Sequence, residues 1–136
     1  MKGEEEFRNN LVQDLQSRGI NVVNLRGGTF DLVIEGKRPY VCEIKRMTRG
    51  TRFLGDEEGF KFTEAQTKEI KNMKFPPFII TFASGGRHYF LSPDWIKEQV
   101  EDLREYATAI MMPSARQFPP AMSYSRILEE IVDFVT

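Results

Sequence analysis

Two short runs of strand-forming residues, joined by a three-residue loop, constrain the fold of this 136-residue chain more than any other feature. The runs cover residues 30–35 and 39–46, and a Gly-Lys-Arg loop at 36–38 separates them. This pattern is typical of a β-hairpin. With a loop of three residues, Ile34 should pair with Tyr40, and that pair sets the register of the whole hairpin.

The hairpin register predicts that two acidic side chains face each other. Side chains alternate between the two faces of a sheet, so Phe30, Leu32 and Ile34 are expected on one face. Asp31 and Glu43 are expected on the other face, where counting back from the loop places them directly opposite each other. Like charges in this arrangement destabilise a sheet, because the Cβ atoms lie only about 5 Å apart.

A divalent cation and Lys45 would offset this repulsion. Mg²⁺ is commonly held by one or two carboxylates together with water and substrate phosphate oxygens. Lys45 follows Glu43 by two residues on the same face and adds a compact positive charge. Phosphodiester hydrolysis needs a metal that generates hydroxide and a cation near the scissile phosphate. A Glu-x-Lys sequence alone more often marks a solvated, salt-bridged strand, and it is Asp31 in register that favours catalysis.

Two segments around these residues, GTFDLVI at 28–34 and YVCEIK at 40–45, resemble the PD-(D/E)XK nuclease superfamily. This superfamily includes type II restriction enzymes, Holliday junction resolvases and VRR-NUC nucleases. The resemblance covers about residues 4–91, and Phe30 stands where the name of the motif has Pro. It implies a restriction-endonuclease-like fold and a metal-dependent endonuclease.

The resemblance also implies a role for each residue of the motif. Asp31 and Glu43 would bind Mg²⁺, with Mn²⁺ as an expected substitute, and the carbonyl of Ile44 would add a ligand. Lys45 would assist the attacking water. Many members of the superfamily act as dimers, so a homodimer is compatible with the resemblance.

Two further positions are similar to features of this superfamily. Many members carry a Glu on the first helix that completes the metal site, and among Glu4, Glu5 and Glu6 we favour Glu6. The alternative is that all three acids interact with the positive end of the helix dipole. Many members also carry a catalytic Gln on the helix after the hairpin, which Gln66 matches. Thr63 and Gln66 are also spaced as a capping box, so a purely structural role for Gln66 stays open.

The net charge of −1 gives no global attraction to nucleic acid, so any binding must depend on local charge. Between Lys37 and Lys74 there are ten basic and six acidic residues, so the middle of the chain is positive. The basic side chains expected to contact phosphates are Arg46, Arg49, Arg52 and Lys68. The alternative is that each of them is a solvated surface charge. The expected partner is nucleic acid, DNA more than RNA.

The remaining sequence predicts one α/β domain with a central mixed sheet flanked by helices. Helices are expected at about residues 4–18, 63–74, 92–106 and 123–135, and further strands at 20–25, 78–83 and 88–91. Residues 47–61 and 107–122 are expected to be irregular. The nuclease-like core would cover about residues 4–91, and residues 92–136 would add a C-terminal helical segment.

Composition excludes several other kinds of site. Cys42 is the only cysteine, which excludes an internal disulfide and favours a reducing compartment, so a cytoplasmic location is expected. His88 is the only histidine, which leaves no histidine-based zinc site or catalytic triad. Gly27-Gly28 lacks the Lys-Ser/Thr of a P-loop and is expected to form a turn. The sequence shows no signal peptide and no stretch that could span a bilayer, so no membrane partner is expected.

Two alternative functions stay open beside the nuclease. A module of the same fold could bind nucleic acid or assemble with it without cutting, although intact residues Asp31, Glu43 and Lys45 argue against that. A structural or partner-binding protein could use the apolar, proline-interrupted stretch at residues 109–122 as its interaction surface.

Overall fold

The computed structural model describes residues 3–48, 58–83, 85–101, 108–111 and 118–136, which form four helices and seven strands. The helices are α1 (Glu4–Ser17), α2 (Glu64–Asn72), α3 (Pro93–Glu101) and α4 (Tyr124–Val135). The strands are β1 (Asn21–Asn24), β2 (Leu32–Glu35), β3 (Pro39–Arg46), β4 (Gly59–Phe62), β5 (Phe78–Ala83), β6 (Arg87–Leu91) and β7 (Thr108–Met111). All four predicted helices are confirmed, and α3 is described as far as Glu101.

Five strands form one mixed sheet in the order β1-β2-β3-β5-β6. The strands β3 and β5 are parallel, and the other neighbouring pairs are antiparallel. Parallel neighbours need a crossover connection, and α2 lies within it. The carboxyl end of β3 therefore lies near the first turn of α2.

The sheet separates two apolar clusters. One face of β2 and β3 packs with Leu11 and Leu15 of α1 and with Ile127 and Ile131 of α4. The other face packs with Ile70 of α2, with α3 and with β4. The central strand β3 is thus covered on both faces, and the side chains of Glu43 and Lys45 on it are largely shielded from water.

The predicted hairpin register is confirmed, but the predicted start of its first strand is wrong. Ile34 pairs with Tyr40, and the register continues through Leu32 and Cys42. Phe30 does not share a face with Leu32, because it belongs to the cluster on the α2 side of the sheet. Residues 28–31 are bent, so the strand alternation begins only at Leu32.

The prediction that residues 47–61 and 107–122 are irregular is wrong at two points. Gly59–Phe62 and Thr108–Met111 pair as the antiparallel strands β4 and β7 of a second, two-stranded sheet. Each strand has four residues and its partner is distant in sequence, so neither run carries a clear local pattern. Short strands of this kind depend on non-local pairing and packing more than on propensity.

The C-terminal end of helix α4 contacts the loop of the hairpin. The buried face of α4 completes the apolar cluster that it shares with α1, and Leu128 and Val135 belong to that cluster. The carbonyl oxygen of Val135 accepts a hydrogen bond of 2.7 Å from the backbone N–H of Lys37. Gly36 lies so close that a Cβ atom on it would be 2.0 Å from the same carbonyl oxygen.

Replacing Gly36 with Ala should therefore destabilise the protein by about 1–3 kcal/mol, as expected for overpacking that shifts the backbone. Urea denaturation measures the change in the free energy of unfolding. The matched control is Lys37→Ala, which keeps the backbone N–H and should stay within about 0.5 kcal/mol of wild type. Equal stability of Gly36→Ala and wild type would contradict the close contact between the loop and α4.

Candidate active site

Asp31 lies directly before β2 and is held there by groups from two other elements. Its Oδ2 accepts a hydrogen bond of 2.8 Å from the backbone N–H of Ile44 on β3. Its Oδ1 lies 3.3 Å from Nη1 of Arg8 on α1. In an extended strand the N–H and C=O of one residue point to the same neighbour, so the Ile44 carbonyl faces the side on which Asp31 lies.

Glu43 is a buried carboxylate with only one oxygen satisfied. The residue is 5% exposed, and its Oε2 accepts a hydrogen bond from Nε2 of Gln66 and lies 3.3 Å from Nζ of Lys45. Its Oε1 is buried, and no hydrogen-bond donor reaches it from the described part of the chain. Burial first, and then the hydrogen bond and charge of Asp31, raise the pKa of Glu43 to about 8. The two carboxyls thus lie close enough to share a proton.

Gln66 links Glu43 to Lys45. Its Oε1 accepts a hydrogen bond of 2.8 Å from Nζ of Lys45, and its Nε2 donates to Glu43 and, at 3.0 Å, to the carbonyl of Thr29. The same Oε1 accepts from the backbone N–H of Thr63, whose side chain accepts from Gln66 N. Gln66 is therefore a capping-box residue of α2 and a part of the site at once.

The ammonium group of Lys45 has three neighbours that position it. Besides its contacts to Gln66 and Glu43, its Nζ lies 5.7 Å from the centre of the Phe62 ring. Its side chain is 14% exposed, so it is shielded but still in reach of solvent. Lys45 thus places a compact positive charge directly beside the carboxyl group of Glu43.

The structure favours Glu4 over Glu6 as the carboxylate that α1 brings near the site. Partial burial, followed by the negative charge of Asp31, raises the pKa of Glu4, while Lys45 and Arg8 lower it. These influences put Glu4 in the electrostatic field of the site. Both side chains are exposed on the surface of α1, and Glu6 lines a groove formed by the first turns of the helix itself.

Helical periodicity could have identified Glu4 and would also have identified Arg8, which the sequence analysis missed. Leu11 and Leu15 are the buried residues of α1. Glu4 and Arg8 precede them by seven residues each, which is two helical turns, so all four lie on one stripe. Glu6 precedes Leu11 by five residues and lies on another face.

The donor set fits a hard divalent cation. Glu43 Oε1 lacks a partner, the Asp31 carboxylate lies beside it, and both are oxygen donors of the kind that Mg²⁺ prefers. No three Asp, Glu, His or Cys side chains among the described residues lie close enough together to bind one ion. Water and substrate oxygens would therefore complete the coordination, which is usual for Mg²⁺.

Without metal, the protein should lose stability as the pH rises from about 5 to about 8. Glu43 binds a proton more tightly in the fold, where its pKa is about 8, than at the ordinary value of 4.5. Its protonation therefore stabilises the fold fully below pH 4.5, and this contribution is lost as the pH passes through the folded pKa. Thermal melts in EDTA across this range measure the effect. Glu43→Gln should flatten it, and identical pH profiles of the two proteins would contradict the assignment.

The residues expected to contact phosphates are only partly described. Arg46 is exposed at the end of β3, directly after Lys45. Lys68 is exposed on α2, with Nζ 3.3 Å from Oε1 of Glu64. Arg49 and Arg52 lie outside the described residues.

Other candidate residues have structural partners. His88 stacks on Phe7 at 5.6 Å between ring centres, and burial lowers the pKa of its imidazole. Phe118, from the stretch considered as a partner surface, packs on Tyr89 and Trp95, and residues 112–117 of that stretch lie outside the described part. Cys42 is buried and free.

Across the described residues, no helix combines the length and the apolar composition needed to cross a membrane.

Comparison with known proteins rests on structure. Neither protein-family models nor curated protein sequences match the chain. Among solved structures it is similar to Hjc, a Holliday junction resolvase from the archaeal hyperthermophile Archaeoglobus fulgidus, with a TM-score of 0.57 and 11% identity over 92% of this chain and 94% of the resolvase. The chain has the restriction-endonuclease-like fold. A bacterial homing endonuclease, I-Ssp6803I, gives a TM-score of 0.48 and 12% identity over 93% and 90% of the two chains.

The restriction-endonuclease-like fold confirms the architecture that the motif implies. The match to the resolvase covers 92% of this chain, so it includes part of the segment after residue 91 as well as the predicted core. At 11% identity the likeness shows the fold alone, and any chemistry depends on this chain's own Asp31, Glu43, Lys45 and Gln66.

Proposed function

We propose that this protein is a metal-dependent endonuclease that hydrolyses phosphodiester bonds of nucleic acid, with DNA preferred over RNA. The observation that carries the proposal is the half-satisfied carboxylate of Glu43, buried beside Asp31 with Lys45 and Gln66 on its other oxygen. A buried carboxyl oxygen without a hydrogen-bond donor is costly, and a carboxyl whose pKa is raised by burial and by a neighbouring carboxyl is a candidate for a functional site.

Asp31, Glu43 and the carbonyl of Ile44 would hold Mg²⁺ or Mn²⁺. When bound, the ion would lower the pKa of a water molecule and neutralise charge on the scissile phosphate. The raised pKa of Glu43 means that a proton leaves this carboxyl pair when a cation enters. Metal affinity should therefore increase with pH up to about 8.

The side chains of the chain itself would orient the reactants. Lys45 would contact the phosphate and the attacking water, and Gln66 would keep the ammonium group of Lys45 beside Glu43. Gln66 acts through these two groups, so we assign it a positioning role. Arg46, Arg49, Arg52 and Lys68 are proposed to contact phosphates farther along the strand.

The fold similarity to a protein named as a Holliday junction resolvase supports DNA as the first substrate to examine. A homodimer and a cytoplasmic location are further parts of this proposal.

The experiment is incubation of the purified protein with end-labelled duplex, nicked, branched and single-stranded DNA and with RNA, in Mg²⁺, Mn²⁺ or EDTA. We expect at least one DNA class to be cut in the presence of metal and none in EDTA. Cleavage that persists in EDTA would refute metal dependence. Binding without cutting of any substrate would favour the non-catalytic alternative.

A further inference from the structure

A polar cleft of about 460 Å³ lies between α1 and the turn after β1 and opens beside Asp31. Four polar side chains in its lining can donate hydrogen bonds: Arg8, Asn9, Asn24 and Arg26. Gly27 and Gly28 also line the cleft, and Gly27 adopts a backbone φ of 75°. Without side chains, these two residues leave room for another backbone to approach closely.

Most of these donors have no partner within the described part of the chain. Arg26 is exposed in the turn, and it makes no ion pair or side-chain hydrogen bond with any described residue. Within the described residues, the side-chain amides of Asn9 and Asn24 make no hydrogen bond either. Arg8 pairs with Asp31 through Nη1, but its Nε is buried and has no acceptor.

The charges of the cleft balance in the metal-free protein. Arg8 and Arg26 contribute two positive charges, and Glu5 and Asp31 contribute two negative charges. Asp31 also belongs to the proposed metal site, so a bound cation would cancel its charge and compete with Arg8 for its oxygens. The cleft would then carry a net positive charge, with guanidinium and amide donors in its lining.

We propose that this cleft binds a backbone phosphate of the nucleic-acid strand next to the scissile one, and that it does so when the charge of Asp31 is neutralised. The inference rests on the proposed function and adds a subsite to it. Guanidinium groups bind phosphate oxygens through paired hydrogen bonds, and amide side chains are common phosphate contacts. Substrate binding is thereby coupled to the state of the metal site through Asp31 and Arg8.

Binding measured in EDTA tests the coupling without metal and without cleavage. Asp31→Asn removes the charge that a cation would cancel, so it should bind labelled duplex DNA about five- to tenfold more tightly than wild type at 0.1 M salt. Its salt dependence should be steeper by about 0.9 in log K per log salt, which corresponds to one added phosphate contact. Adding Arg26→Ala should remove both gains. Fluorescence anisotropy measures both quantities.

Two matched variants control for charge alone. Glu129→Gln removes one negative charge and Arg126→Ala one positive charge on the exposed face of α4. Glu129→Gln should not tighten DNA binding as Asp31→Asn does. Arg126→Ala, added to Asp31→Asn, should not reverse that gain as Arg26→Ala does. If Asp31→Asn does not fold, the cleavage-defective Lys45→Ala protein provides a second measurement. There, Arg26→Ala should weaken DNA binding in Mn²⁺ and change it less than twofold in EDTA.

The outcomes separate this inference from the proposed function. If the protein cuts DNA with metal but the double variant binds as tightly as Asp31→Asn, the cleft is refuted and the nuclease stands. If no substrate is cut but Arg26→Ala reverses the gain of Asp31→Asn, the cleft is supported as a phosphate site and the nuclease is refuted. Equal effects of Arg26→Ala and Arg126→Ala would also refute the cleft.

Discussion

Asp31→Asn is expected to abolish cleavage and, at the same time, the stabilisation of the fold by metal. The substitution removes one of two carboxylates that would bind the cation, so Mn²⁺ should no longer raise the melting temperature. In wild type the cation should stabilise the fold by RT ln(1 + [L]/Kd), about 2.7 kcal/mol at a concentration of 100 Kd. Comparing each variant with and without Mn²⁺ cancels any change in its own metal-free stability.

Lys45→Ala provides the contrast, because it leaves both carboxylates in place. It should lose cleavage by about 10²-fold or more, as is typical when a group that stabilises transition-state charge is removed. It should keep the shift in melting temperature caused by Mn²⁺. The two variants thus separate metal binding from chemistry. Cleavage that survives Asp31→Asn, or the absence of a metal-induced shift in every protein, would refute the assignment of this hairpin.

Gln66→Ala should impair both activity and stability, because the side chain joins the site to the start of α2. Loss of its bonds to Glu43 and Lys45 frees the ammonium group and should lower the cleavage rate about 10²-fold. Loss of the capping box and of buried hydrogen bonds should cost about 2–3 kcal/mol in the free energy of unfolding.

Thr63→Ala is the matched control for Gln66→Ala. It removes the other side chain of the same capping box, so it should cost about 1 kcal/mol of stability. The bonds from Gln66 to Glu43 and Lys45 remain, so cleavage should stay within a few fold of wild type. If both variants lowered the cleavage rate equally, Gln66 would be a helix cap and nothing more.

The hairpin was the most predictable part of the site because its geometry is local. A loop of three residues fixes the register, so the pairing of Ile34 with Tyr40 follows from the sequence. The bend at residues 28–31 leaves no mark on the alternating pattern, so the alternation alone predicts the wrong face for Phe30. The approach of Asp31 to Glu43 survives this error, because the carboxylate is fixed by the backbone N–H of Ile44.

Contacts between distant elements were less predictable. The choice among three consecutive acids at the start of α1 depends on how the helix is rotated, and only the buried stripe of Leu11 and Leu15 reveals that rotation. The capping box at Gln66 is confirmed, and the same side chain also contacts Glu43, because the N3 position of α2 faces β3. The strands β4 and β7 depend on each other and have no strong signal alone.

The central position of β3 in the sheet has a consequence for how the site opens. Glu43 and Lys45 lie on a strand that is bonded to β5 and covered on both faces, whereas Asp31 lies in a bent segment just before β2. Regions with many buried backbone hydrogen bonds open only with the whole fold, and short irregular segments open locally at lower free energy. We therefore expect Glu43 to stay in place for as long as the fold persists, and Asp31 to leave the site only when its hydrogen bond to Ile44 breaks in a local fluctuation. Cations would exchange through the Asp31 side, at a rate set by that segment and not by global unfolding.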